Sequence, residues 1–479
     1  MLTRARNEAD GPALPVTRMK SPFVFPPQAS AETSAREGRA RMVYANARGE
    51  ILEHPTLELL GWDGECWRPF EPDELQPVPE GSDFFVLPGR LAAGHDPIDD
   101  GPVIFDEPGT TAVACFIAPA YLRMALPAYE SLEDAPALPL FAYSAVGLRD
   151  GQFVVPTLRV DADIRQDPFR FDIAVIERNV SQRLTELAHN PLVKHLEKCA
   201  LTYHCRAAQN YFLDRFEAPM PAAPTCNALC VGCISFQPKE GDDVPTAAHD
   251  RIRFAPTPAQ LAEVALGHIA RVGADAVVSF GQGCEGEPLN QGENLIEAVR
   301  LIRAATQDGI VNLNSNASRP EIVRKMVAVG LDSLRISTNS ARPEVYRAYY
   351  RPKGYDFDDV RASARAVREA GGYLMLNYFI FPGVTDTEAE LEALSRWIAE
   401  DRIDMVQLRN LNIDPEMYLD HVTRAGHVVA PLGLGPWLRE LRRRFPALRF
   451  GYFNPPRRIM AEPAPQLVPP VALAGLTPG

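Results

Sequence analysis

Between Ala276 and Leu408 short apolar runs recur with room for one helix between each pair, and this alternation restricts the chain to parallel β-α units with helices outside. The spacing predicts strands at Ala276–Phe280, Ile310–Leu313, Ser333–Ser337, Tyr373–Phe381 and Met405–Leu408, with one more at Cys226. Helical patterns cover Pro256–Arg271, Leu295–Ala305, Pro320–Val329, Phe357–Ala370, Thr385–Ala399 and Pro436–Arg444.

At the head of this region stand Cys226, Cys230 and Cys233, spaced so that one short loop offers three thiolates to one metal centre. Thiolate sulfur selects iron-sulfur clusters, zinc or copper. Closed zinc sites normally use four protein ligands, and no fourth cysteine or histidine follows close by, so one coordination position is left open. After the run Ala276–Phe280 comes the loop Gly281-Gln282-Gly283-Cys284-Glu285-Gly286-Glu287-Pro288-Leu289. A strand ending in a glycine-rich loop suits close approach of backbone to a ligand.

From about Thr225 to Asn412 these motifs together resemble the radical SAM enzymes, whose cluster signature is Cys-x3-Cys-x2-Cys. The resemblance implies a partial, open (β/α)6 TIM-like barrel; before it, short apolar runs punctuated by turns read as a smaller β-rich domain, and the helical pattern from Phe171 to about Phe216 as a bridge. It implies a 4Fe-4S cluster on the three cysteines and S-adenosylmethionine on the fourth iron. Electrons would come from a reductant such as flavodoxin or ferredoxin. The reaction would be formation of a 5'-deoxyadenosyl radical and hydrogen abstraction from an unidentified small molecule, peptide or protein. Gly286, Glu287 and Pro288 resemble the family's Gly-Gly-Glu-Pro loop, which binds the methionine amino group. Two positions depart from the pattern: Glu285 adds an acidic side chain beside the ligand, and Gly232 stands where an aromatic residue is usual.

Other cofactor contacts implied by the resemblance are Asn316 in Ser315–Ser318, Ser337 and Asn339 on strand four, and Gly383 under the adenine. Ser337 and Asn339 alternate onto one face of a strand, although strand-end caps explain them equally well. Gln407 and Arg409 share a face of strand six; Arg409 suits a carboxylate of cofactor or substrate, or a structural ion pair.

Cys284 sits inside the cofactor loop, with three readings: a hydrogen-atom donor in catalysis, a ligand to a second cluster, or a small apolar filler. Cys199 and Cys205, with His195 one helical turn before the first and His204 beside the second, read as buried structural thiols, with an auxiliary iron-sulfur site as the alternative. On a continuous helix they lie about 120° apart, poor for one metal unless the helix breaks. No cysteine follows Cys284, which excludes a C-terminal cysteine-rich domain with auxiliary clusters and counts against the RNA-adenine methylating relatives. The alternative to an enzyme is an iron-sulfur or zinc protein acting in electron transfer or as a scaffold.

A chain of 479 residues exceeds one ordinary domain. Residues 1–40 read as a flexible arm, 41–165 as a β-rich domain, 166–218 as a helical bridge, 219–454 as the barrel and 455–479 as a proline-rich tail. Arg149-Asp150-Gly151-Gln152 between apolar runs signals a hairpin. A net charge of -13 argues against broad nonspecific nucleic-acid binding. No apolar run approaches the roughly 18 residues of a membrane helix, and only eight cysteines, three of them clustered, suit a reducing compartment. The expected location is therefore the cytoplasm.

Overall fold

The computed structural model describes residues 38–237, 245–427 and 430–463. Most of the arm, and the tail beyond residue 463, lie outside the described residues. Residues 41–159 form fourteen short strands in one hydrogen-bonded network, paired antiparallel throughout. The expected hairpin is present: Gly147–Arg149 pairs with Gln152–Arg159, Arg149 opposite Gln152. Asp150 and Gly151 both take positive φ, 52° and 75°, as a tight two-residue turn between right-twisted strands demands.

The bridge is three helices, α1 (Ile173–Glu186), α2 (Pro191–Leu201) and α3 (Arg206–Phe212). Asn190 caps α2 by accepting from Leu192 N, with Pro191 in the first turn where no N–H is needed. Four residues separate α2 from α3, so Cys199 and Cys205 are not on one helix.

The barrel holds seven parallel strands in sequence order: β1 (Glu217–Met220), β2 (Val277–Phe280), β3 (Ile310–Ser315), β4 (Ser333–Thr338), β5 (Tyr373–Ile380), β6 (Met405–Asn410) and β7 (Arg449–Gly451). The first strand therefore precedes the cysteines rather than containing Cys226, which lies in the loop after it, and a short seventh strand extends the sheet past β6. Every residue of β2 and β3 is buried, because a parallel sheet is covered on both faces. The outer layer is α4 (Pro258–Val272), α5 (Gly292–Ala305), α6 (Pro320–Ala328), α7 (Pro343–Tyr350), α8 (Phe357–Glu369), α9 (Glu388–Asp401), α10 (Pro415–Arg424) and α11 (Leu434–Arg444); α12 (Arg457–Ala461) follows β7. Capping boxes start α4 at Thr257/Gln260 and α8 at Asp356/Asp359.

The β-rich domain sits over the C-terminal ends of β5 and β6. Arg123 N donates to Asn410 Oδ1 at 2.9 Å, Asn410 Nδ2 to Tyr121 O at 2.9 Å, and Leu138 N to Asp414 Oδ2 at 2.7 Å. The Arg123 guanidinium, fully buried, lies 5.2 Å from the centre of the Phe381 ring and donates to the carbonyls of Tyr143 and Leu411. Gly64 and Gly383 touch backbone to backbone: a Cβ on Gly383 would lie 2.7 Å from Gly64 O, and Gly383 has φ 79°. The Gly383→Ala variant is accordingly expected to lose about 1–2 kcal/mol from the left-handed backbone alone. Calorimetry should show the domain contact loosening; an unchanged melting profile would mean the contact yields without cost.

Candidate metal centre

The loop from Cys226 to Cys233 contains no helix or strand beyond an isolated antiparallel bridge of Ala228 with Pro352, so its backbone polar groups are satisfied by neighbours. Leu229 N donates to Tyr350 O at 3.0 Å, Val231 N to Tyr349 O at 2.9 Å, and Lys353 N to Asn227 O at 2.9 Å. The tyrosines of α7 are thus buried packing whose carbonyls anchor the cysteine loop. On its other side the loop is tied to the segment after β2: Gly286 N donates to Ala223 O at 2.6 Å and Glu287 N to Thr225 O at 3.0 Å. A Cβ on Gly286 would fall 2.0 Å from Thr225 O, so only glycine allows the two loops to lie this close.

All three cysteines are half-buried and unbridged. Burial, then the charge of Glu287, pushes the Cys226 thiol up to about 11; burial, then Cys233 and Cys226, raises Cys230 well above its ordinary value. Arg251 Nη2 approaches Cys233 Sγ at 3.5 Å and supplies positive charge. Tetrahedral zinc with Zn–S of about 2.3 Å would draw sulfurs to roughly 3.8 Å apart. Among the described residues the one trio of histidine, cysteine or carboxylate donors lying within 4.8 Å of one another is elsewhere, at His195, Cys199 and Cys284.

Glu285, the first departure from the family pattern, does not stand free beside a ligand. Its carboxylate is buried and accepts from Ala222 N, Ala223 N and Gln282 N at 2.7, 2.8 and 2.7 Å. Burial pushes it up to about 8, against the pull of those amides. Glu287 likewise accepts from Leu289 N at 3.0 Å, Ser315 Oγ at 2.5 Å and Asn316 N at 2.9 Å, and burial moves it up to about 7. Pro288 opens the short 3-10 turn Pro288–Gln291. At Gly232, the second departure, a Cβ would meet Tyr349 Oη at 3.0 Å and Asn412 O at 3.1 Å, which leaves no room for a ring without a shift.

The other expected contacts divide. Asn316 is buried and donates to Asn227 Oδ1 at 2.9 Å, linking β3 to the cysteine loop. Ser337 accepts from Asn377 Nδ2 at 3.3 Å. Asn339 lies beyond the end of β4 and does not share that neighbour: its amide donates to Val345 O and Tyr418 Oη at 3.3 and 3.1 Å. Gly383 makes its close approach to Gly64 rather than to open space. Arg409 stacks on Tyr452 at 3.9 Å, and in place of an ion pair its Nε is buried without a hydrogen-bond partner. Cys284 is buried against α2; Cys205, at the N-cap of α3, is exposed as a residue, while burial raises its thiol.

The network inside the barrel was not anticipated. Asn454 Nδ2 donates to Glu217 Oε1 at 2.8 Å, Gln407 Nε2 to Asn454 Oδ1 at 3.0 Å, and Arg335 Nη1 to Gln407 Oε1 at 3.1 Å. Burial, then repulsion from Arg409, brings Arg335 down to about 9. Arg335 Nε and Asn377 Oδ1 join Arg409 Nε as buried polar atoms with no partner. Alternating polar residues on β4 and β6 were the available signal.

Residues 220–394 match the sequence pattern of the radical SAM superfamily. No curated protein matches the chain. Solved structures with similarity include methylornithine synthase (PylB), at 16% identity and TM-score 0.34 over 54% of this chain and 70% of that one. HydG, a maturase of the [FeFe]-hydrogenase, shows 13% identity and TM-score 0.36 over 58% and 66%. SuiB of Streptococcus suis bound to S-adenosylmethionine shows 13% and 0.34 over 52% and 54%. Likeness at this level says nothing of substrate. With the cysteine loop inside the matched residues and set at the C-terminal end of a parallel barrel, residues 220–394 carry the likeness of this chain to the radical SAM superfamily, whose members bind a 4Fe-4S cluster and S-adenosylmethionine.

Proposed function

We propose that Cys226, Cys230 and Cys233 hold the cluster and that the enzyme abstracts hydrogen from an anionic substrate bound in the barrel. Three unbridged, half-buried thiols on one short loop, held against the Gly286–Glu287 segment by the bonds to Ala223 O and Thr225 O, support the first half of this reading. The cluster and S-adenosylmethionine, when bound, supply reductive carbon-sulfur cleavage and with it the abstraction of hydrogen from an unreactive carbon. This chain's residues do the rest. Gly286, Glu287, Pro288 and Asn316 shape the cofactor's berth beside the cysteine loop, Glu287 ordering the loop through its three accepted hydrogen bonds. Ser337 faces the same interior from β4.

Arg335 and Arg409 present two guanidinium groups with spare donors in a buried setting. A carboxylate or phosphate, on cofactor or substrate, offsets the repulsion between them. The β-rich domain over β5 and β6 covers one side of the mouth and keeps water from it. A one-electron reductant such as flavodoxin or ferredoxin would dock on the remaining open side. Among the described residues no helix is long and apolar enough to cross a membrane.

Anaerobic reconstitution with iron and sulfide, followed by electron paramagnetic resonance of the reduced protein, tests this reading. A 4Fe-4S signal that shifts with S-adenosylmethionine and vanishes in the Cys226→Ala, Cys230→Ala, Cys233→Ala variant is the expected result. A wild type without a cofactor-sensitive cluster would overturn it. Loading should also depend on pH with a definite sign. Thiols raised above the ordinary value are protonated at neutral pH, and each metal-sulfur bond displaces a proton, so iron affinity rises with pH by about tenfold per unit for each proton displaced. Iron uptake at limiting concentration, compared at neutral and mildly alkaline pH, reads this directly; a flat response contradicts it.

A further inference from the structure

Outside the cysteine loop, His195, Cys199 and Cys284 bring their ligand atoms within 4.8 Å of one another. His195 and Cys199 are four residues apart on α2 and so share one face of the helix. Cys284 reaches them from the loop after β2, 85 residues after Cys199 in the sequence. His195 Nε2 lies 3.3 Å from Cys284 Sγ and 3.6 Å from Cys199 Sγ. One imidazole nitrogen has one proton or one lone pair, so a single hydrogen bond accounts for only one of these approaches. A tetrahedral ion accounts for both. With Zn–S of about 2.3 Å and Zn–N of about 2.0–2.1 Å the nitrogen-sulfur edges come to roughly 3.6 Å.

The same distances exclude the wider spread of a cubane cluster. Both cysteines are buried and His195 half-buried, as expected of a site closed on the protein side. Two thiolates and an imidazole suit zinc, which binds such donors more tightly than iron(II) does.

We infer that His195, Cys199 and Cys284 form a second metal site that takes a single zinc ion, with its fourth position open to water. The ion ties the helical bridge to the loop whose next residues are Glu285, Gly286 and Glu287. Both thiols lose their protons to solvent on binding, and no electron is transferred. The site stands independently of the cluster reading: its ligands are not the cluster's, and zinc is not redox-active.

The test is titration of the full chain with cobalt(II) after anaerobic chelation, in the Cys226→Ala, Cys230→Ala, Cys233→Ala background so that the cluster loop cannot respond. About one cobalt per chain should bind with a thiolate-to-cobalt charge-transfer band, and equimolar zinc should abolish it. Adding Cys199→Ser or Cys284→Ser should weaken binding by more than the roughly 10–100-fold typical of an outer-sphere loss. Elemental analysis of the otherwise unsubstituted protein gives a second readout: about one zinc in the wild type and near none with Cys199→Ser and Cys284→Ser combined. Absence of the cobalt band, a band indifferent to the serine substitutions, or additional iron in place of zinc would each overturn the proposal. Failure of the cluster reading would instead show as a missing cofactor-sensitive resonance with the zinc still bound.

Discussion

Replacing Gly286 with alanine is expected to cut S-adenosylmethionine cleavage about a hundredfold while leaving cluster iron in place. The new methyl would sit 2.0 Å from Thr225 O and 2.4 Å from its carbonyl carbon, and these are backbone atoms that cannot swing aside. The cysteine loop and the cofactor loop must then part by an ångström or more. A misplacement of about 1 Å between reacting groups is worth roughly 100-fold in rate. Gly286 N also donates to Ala223 O at 2.6 Å, and that bond is stretched by the same shift. Iron content and turnover measured on the same preparation separate position from occupancy. Turnover within twofold of wild type would show that the 225–286 contact does not set the geometry.

The second large effect is on stability. Glu285→Ala removes the acceptor for Ala222 N, Ala223 N and Gln282 N, all inside the fold. An unpaired buried donor costs about 1–3 kcal/mol, so three of them imply a loss of about 3 kcal/mol even at the lower end. The Glu285→Gln variant keeps one acceptor oxygen and turns an amide donor toward other donors, and should fall between. Chemical denaturation followed by circular dichroism reads both. Near-wild-type stability of the alanine variant would mean that water replaces the carboxylate without penalty.

The alternation of strands and helices was legible because each unit is local: β2 to β6 and their helices carry their own apolar periods, and α4, α8 and α9 their own caps. Strand β1 was not, since it is four residues long and holds Pro219, a residue tolerated there because the strand is at the sheet edge. Strand β7, three residues long, carries too little pattern to find. Helix α10 had a readable start in Asp414 followed by Pro415; Asp414 Oδ1 accepts from Glu416 N and Met417 N at 2.9 and 3.2 Å.

The spacing of Cys226, Cys230 and Cys233 on one short loop is a local pattern of the same kind. The meeting of Cys284 with His195 was not legible, because a spacing of 89 residues carries no geometric information without the fold. Nor was the role of Glu285 visible, since the backbone amides that occupy it belong to the stretch after β1. The docking of the β-rich domain on β5 and β6 is still more remote in sequence: Leu138 and Asp414 are 276 residues apart.

That separation has a consequence in time. The β-rich domain leaves the ribosome before the barrel, yet Asn410, Leu411 and Asp414, which receive Arg123 and Leu138, are synthesised much later. At about 5–20 residues per second, Leu138 waits roughly 14–55 s for Asp414 across the 276 intervening positions. Throughout that interval Arg123 and Leu138 lack the partners that Leu411 and Asp414 later supply, so this contact between the two parts closes only after β6 has been made.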